Sequence, residues 1–185
     1  YLKNIYQKKM NNVDKEYLRV LEKLIAKYAT TGFVKEDRTN TGTISLFCEQ
    51  TRYSFDEGFP ILTTKKVNFN AIKVELLWFL GCHLKHDRYS KLENGITNIR
   101  YLLDHNVNIW NEWPFKEYML TNHNYIPEQG SNEWEVEMEL FKDAIKSDDV
   151  FASKWGNVGS GAYGKQWRNF EGYNNVSDQI DYCIN

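Results

Sequence analysis

Apolar positions along this 185-residue chain recur first at helical spacing. Tyr17, Leu18, Leu21, Leu24, Ile25 and Tyr28 fall on one stripe, with Asp14 at the start and Gly32 just past the end. The spacing predicts an amphipathic helix whose stripe lies in the core. The period then changes to two. Ile44, Leu46 and Cys48 alternate with Thr43, Ser45 and Phe47, and Tyr53 and Phe55 resume the alternation after a phase slip near Thr51. That pattern predicts a strand with a bulge or bend. In this register Cys48 points inward as a small buried hydrophobe. Asp56, Glu57 and Gly58 turn the chain, and residues 60–66, PILTTKK, read as a short strand or crossing segment. Residues 71–80 form the most apolar helix. Ile99, Leu102 and Leu103 give a short helix face, and Trp134, Met138, Phe141 and Ile145 mark another amphipathic helix closed by Ser147, Asp148 and Asp149. Residues 1–12 read as a polar lead-in, residues 119–132 as turns, and Asp178 to Ile184 as a last helix. Strands and helices mix without a βαβ rhythm, so the chain is expected to be α+β rather than a doubly wound sheet.

One carboxylate interrupts the apolar helix. The neighbours of Glu75 at three and four positions are Ala71, Ile72, Trp78 and Phe79, all apolar. Desolvation there disfavours the charged form, a setting that suits proton transfer. The alternative is a carboxylate satisfied by an arginine or lysine in the core.

Composition narrows the picture. Against 23 Lys and Arg stand 25 Asp and Glu, so nothing points to nucleic acid or to a membrane surface. The 6 Trp, 12 Tyr and 10 Phe argue for a packed interior or a site that stacks flat ligands. Three cysteines, Cys48, Cys82 and Cys183, form no disulfide framework. No apolar run spans a bilayer and the first residues lack a signal-peptide core, so the chain reads as cytoplasmic.

Four clusters carry candidate chemistry. In EDRTNTGT, Asn40-Thr41-Gly42 has turn chemistry, and Arg38 offers a planar fork for phosphate oxygens; otherwise Arg38 is a solvated surface charge. Cys82, His83 and His86 suggest a metal site, but no second Cys/His pair completes it, so no metal is expected and the run reads as an exposed polar extension. Trp110 and Trp113 either floor a stacking pocket or are simply buried. The glycines of WGNVGSGAYG fit neither a Walker loop nor Gly-x-Gly-x-x-Gly, and read as a flexible turn presenting Tyr163 and KQWR.

Taken in order, DRTNTGT, EGFPILTTKK, ELLWFL, TNIRYLL, NIWNEW and YGKQWR with a following DQI make the chain resemble thymidylate synthase over most of residues 17–183. The resemblance implies an α+β fold shared with dCMP hydroxymethylase, a mixed sheet covered by helices, in a single domain over 1–185. Residues 118–155 resemble an insertion of some bacterial members. It implies methyl transfer with reduction from 5,10-methylenetetrahydrofolate to dUMP, giving dTMP and dihydrofolate, in a homodimer. It also implies roles. Arg38 would bind the substrate phosphate. Glu75 would organise water and move protons. Tyr163 would assist proton abstraction. Lys65, Ile109, Trp110, Asn111 and Trp113 would stand at the folate.

The chain departs from the family pattern in three ways. Residues 82–94 look inserted, and Gly95-Ile96-Thr97-Asn98 carries Ile where the family has Asp. Asn68 and Asn111 replace His and Asp. The family's nucleophile is a cysteine between proline and histidine, downstream of YGKQWR, and the chain stops before it; Cys183 lacks those neighbours. The 185-residue chain alone is therefore expected to be inactive, as a front portion of a longer enzyme. Two other readings share these motifs: a deoxynucleotide hydroxymethylase, which omits the reduction, and a non-catalytic relic that binds folate or a partner.

Overall fold

Helix formation begins at Asn11, whose side-chain oxygen accepts the N–H of Asp14 at 2.8 Å and caps α1 (Asn12–Thr31). Gly32, at φ 59°, ends the helix in the left-handed conformation, its N–H on the Tyr28 carbonyl at 2.7 Å. The computed structural model describes residues 10–37, 40–172 and 176–185 and falls into two units, 1–67 and 68–185. Arg38 and most of the polar lead-in lie outside the described residues.

In the first unit the stripe of α1 is not core. Tyr17, Leu21, Ile25 and Tyr28 are exposed, and the buried residue of this helix is Asp14. Periodicity identifies an apolar face but not what covers it. Lys35 and Thr43 make an isolated antiparallel bridge with both N–H···O distances 2.8 Å. Inside that turn the Asp37 carboxylate accepts from the hydroxyls of Thr41 at 3.1 Å and Thr43 at 3.0 Å. Gly42 has φ 78°, and a Cβ there would meet Val34 Cγ1 at 2.4 Å, so the turn demands glycine. Beyond it Ile44 and Leu46 are half-buried and alternate with exposed Ser45 and Phe47, but Cys48 is exposed, not buried. The alternation breaks at Cys48, before the slip expected near Thr51. Neither 44–55 nor 60–66 forms a ladder among the described residues. Alternation gives extended backbone, and a strand also needs a paired row of N–H and C=O groups.

The second unit is built on helices. Asn68 caps α2 (Phe69–Phe79), accepting the Ala71 N–H at 3.1 Å, and the helix buries Val74, Trp78 and Phe79. α3 (Asp87–Ser90), α4 (Arg100–Asp104), α5 (Glu112–His123), α6 (Asn132–Ser147), α7 (Asp149–Trp155), α8 (Tyr163–Arg168) and α9 (Gln179–Ile184) follow. Two-residue strands β1 (Phe170–Glu171) and β2 (Val176–Ser177) pair antiparallel, Phe170 opposite Ser177. The described residues are thus mostly helical.

Burial of Trp134, Met138, Phe141 and Ile145 on α6 matches the face its sequence spacing defines. Residues expected to be turns after 118 instead continue α5 to His123. This region belongs to the core: Phe115 meets Trp134 at 4.9 Å and Phe141 at 5.6 Å between ring centroids. Arg100 is fully buried, donates through Nε to the Ile145 carbonyl at 2.6 Å, and pairs with exposed Asp149.

Most of residues 82–94 are exposed, as a polar extension would be, but His83, Tyr89 and Leu92 are buried and anchor the run. His83 is 2% exposed, bonds the Gly95 carbonyl through Nε2 at 2.9 Å and stacks on Tyr101 at 5.1 Å. Among the described residues no group of three metal-ligating side chains stands together, and no helix is long and apolar enough to cross a membrane. The glycine-rich run before α8 is anchored at its start, where Gly156 accepts the Ile99 N–H at 2.8 Å and Val158 donates to Thr97 at 3.1 Å.

Candidate active site

Glu75 sits on α2 one turn before Phe79, half-buried, where the helix passes the loop that leads into α5. Its company is polar after all. The indole N–H of Trp110 donates to Glu75 Oε1 at 2.6 Å. No arginine or lysine contacts Glu75 among the described residues.

Around this bond the aromatic rings form one connected group. Trp110 lies 5.3 Å from Trp113 and 5.7 Å from Tyr163, the latter edge-on at 89°. Phe79 meets the edges of Trp110 at 5.8 Å, Tyr163 at 5.4 Å and Trp167 at 5.5 Å. Trp78, fully buried, backs Trp110 at 5.7 Å and donates its own N–H to the Asn98 carbonyl at 2.8 Å. These are the edge and tilted geometries that ring quadrupoles favour.

Two elements must approach closely to bring Tyr163 there. Gly164 is buried, and a Cβ on it would stand 3.0 Å from the Phe79 carbonyl oxygen and 3.1 Å from its Cα. The absence of a side chain lets the start of α8 lie on the end of α2. Tyr163 is then held by Phe79 and Trp110 while 54% of it stays exposed.

Trp113, 59% exposed, leaves a flat surface open beside Trp110, and Ile109 is 56% exposed. Asn111 is buried. Its amide N–H donates to Asn108 Oδ1 at 3.1 Å, and its own Oδ1 has no partner among the described residues. An enclosed acceptor without a donor is costly unless a ligand or water satisfies it.

The structure therefore brings together Glu75, Trp110, Trp113 and Tyr163, with Ile109 and Asn111 flanking Trp110 in sequence. Lys65 lies in the first unit and is exposed. Sequence reasoning missed Phe79 as the hub of the group. Its signal was present, because it stands four residues after Glu75 on the same helix face.

A model of the thymidylate synthase family matches residues 15–185. The chain belongs to the thymidylate synthase family. A thymidylate synthase of Mycoplasma mobile is 43% identical over 167 residues, covering 90% of this chain and 48% of that protein. One of Mesoplasma florum is 41% identical over 172 residues, covering 92% and 49%. One of Aster yellows witches'-broom phytoplasma is 46% identical over 154 residues, covering 83% and 44%. The chain spans about half the length of the curated relatives it matches. Within the thymidylate synthase family match fall all the candidate residues, including Arg38 and Lys65.

Proposed function

We propose that this chain forms the folate-facing and proton-handling part of a thymidylate synthase, which converts dUMP to dTMP with 5,10-methylenetetrahydrofolate as co-substrate. The observation that carries the reading is the 2.6 Å bond from Trp110 to Glu75 beside the exposed rings of Tyr163 and Trp113.

The chemistry asks for few things. The C5–H proton of the pyrimidine must leave, a one-carbon unit must arrive from folate, and a hydride must follow it to give the methyl group and dihydrofolate. Glu75, oriented by a neutral donor, serves as the group that orders water and passes protons. Tyr163 is a phenol poised edge-on to Trp110, suited to assist loss of the C5 proton. Trp110 and Trp113 offer faces for a flat heterocycle, worth on the order of 1 kcal/mol per aromatic pair beyond burial. Asn111 Oδ1 is an acceptor for a ligand N–H or an ordered water. Arg38 binds the substrate phosphate, and Lys65 and Ile109 stand by the folate. The same reading makes the whole protein a cytoplasmic homodimer of α+β fold, a mixed sheet covered by helices, in which residues 1–185 belong to one domain. No metal takes part.

The test uses the full-length protein, with tritium release from 5-labelled dUMP and mass-spectrometric identification of the product. Glu75→Gln is expected to lower kcat by about a hundredfold or more, in line with loss of a general acid or base. A wild-type kcat in that variant, or a hydroxymethyl product from the wild type, would overturn the proposal.

A further inference from the structure

The helix that presents Tyr163 is too short to place itself. α8 has 6 residues, and Ala162 before it supplies no side-chain cap. One and a half turns do not persist alone in water, so the position of α8 comes from what it packs on. Among the described residues its ring contacts to α2 all fall on Phe79. Tyr163 and Trp167, one turn apart on one face of α8, both set their rings edge-on to the Phe79 ring, at 5.4 Å and 5.5 Å. The backbone approaches at the same residue, where a Cβ on Gly164 would stand 3.0 Å from the Phe79 carbonyl oxygen.

Phe79 is buried, and it follows Glu75 by one turn on the same helix. Its ring also meets Trp110 at 5.8 Å and 86°, and Trp110 is the donor 2.6 Å from Glu75. A single turn of α2 thus carries the carboxylate and the ring against which Trp110 and Tyr163 are both set. Tyr163 touches the rings of Phe79 and Trp110 and no third ring among the described residues. Without the Phe79 ring one edge contact remains, and one edge contact does not fix both the rotamer and the tilt of a half-exposed phenol.

We propose that Phe79 is a positioning residue for proton removal from the substrate, setting Tyr163 at a fixed distance and angle from the Glu75–Trp110 pair so that both groups serve one bound pyrimidine. The proposal rests on the function proposed above, in which Tyr163 assists loss of the C5 proton. A side chain that only packs would, when cut back, lower the folded fraction and leave the proton step of each folded molecule unchanged. A positioning side chain slows that step itself.

The experiment takes the full-length protein as wild type, Phe79→Leu, Tyr163→Phe and the double variant. Each is assayed for kcat and for KM with dUMP, and for the tritium isotope effect on release from 5-labelled dUMP. Leucine keeps an apolar body in the core and removes the ring edges. Phe79→Leu is expected to lower kcat roughly tenfold, a part of what a well-placed proton-transfer group supplies, with little change in KM. Its isotope effect should rise, because a slowed C5–H cleavage becomes more nearly rate-limiting. Tyr163→Phe should move the same readouts in the same direction. The double variant should fall no lower than the worse single, because the two residues act through one group. A wild-type isotope effect in Phe79→Leu, whatever its kcat, would overturn the proposal, and so would an additive double variant. Tyr163→Phe at wild-type values throughout would instead remove the role of Tyr163 from the function proposed above, and this proposal with it. Should Phe79→Leu fail to fold, Phe79→Met fills the space with a more adaptable side chain and decides: a raised isotope effect supports the proposal and a wild-type one refutes it.

Discussion

Trp110→Phe separates what the indole N–H does from what the indole body does. The substitution keeps an aromatic ring beside Trp78, Phe79, Trp113 and Tyr163 but removes the donor 2.6 Å from Glu75. A hydrogen bond to a charged acceptor contributes about 1.5–3 kcal/mol, and the half-buried site argues for the lower part of that range. If the bond aligns Glu75 for proton transfer, about 1.5–2 kcal/mol is lost from the transition state. That corresponds to a fall in kcat of roughly tenfold to thirtyfold.

The packing loss is separate. Phe is smaller than Trp, and a partly filled space beside fully buried Trp78 costs stability of about 1–2 kcal/mol. For a chain of this size that shifts Tm by roughly 2–8 °C. The assay is steady-state formation of dihydrofolate by the full-length variant, with Tm measured in parallel and kcat taken well below the transition. The reasoning is refuted by a variant that loses several degrees of Tm but keeps the wild-type kcat, since the N–H would then be a packing accident. A variant whose KM for the folate rises while kcat stays put would refute it too, because Trp110 would then be only a stacking surface.

Two other outcomes follow from the second unit. Burial lowers the His83 pKa below its ordinary 6.5, outweighing the carbonyls of Gly95 and Leu77. The unfolded chain therefore takes up the proton first, so His83 contributes stability that is present above about pH 6.5 and is lost as pH falls toward the folded value; urea midpoints from pH 7 to pH 5 should drop, and His83→Gln should flatten the slope. Gly164→Ala sets a gain in helix propensity of about 1 kcal/mol against overpacking of about 1–3 kcal/mol at the 3.0 Å contact with the Phe79 carbonyl, which cannot rotate away. A lower Tm is expected, and a raised one would show that α8 and α2 have room between them.

How much of this was legible depended on whether the information was local. The face of α6 could be read from spacing, because a helix period of 3.6 states which side is apolar. The ends of α1 and α2 could be placed to within a few residues for the same reason. The stripe of α1 reads equally clearly as apolar, yet Ile25 is 58% exposed. A period does not report whether another surface arrives. The segment 44–55 failed in a related way, since its alternation is visible while a strand's partner is not. His83 read as part of an exposed polar run, but its burial depends on Tyr101 and Gly95, which lie later in the chain.

Glu75 shows the same boundary at the site itself. Its near neighbours are apolar, so the sequence presents it as isolated. Its partner stands 35 positions away, and only the fold supplies it. The kind of partner matters more than its existence. A guanidinium or ammonium would have neutralised the carboxylate and fixed it in the ionised form, at the desolvation cost of a buried pair. An indole N–H orients one oxygen and carries no net charge. The carboxylate then keeps a defined direction and a second oxygen open to a further donor.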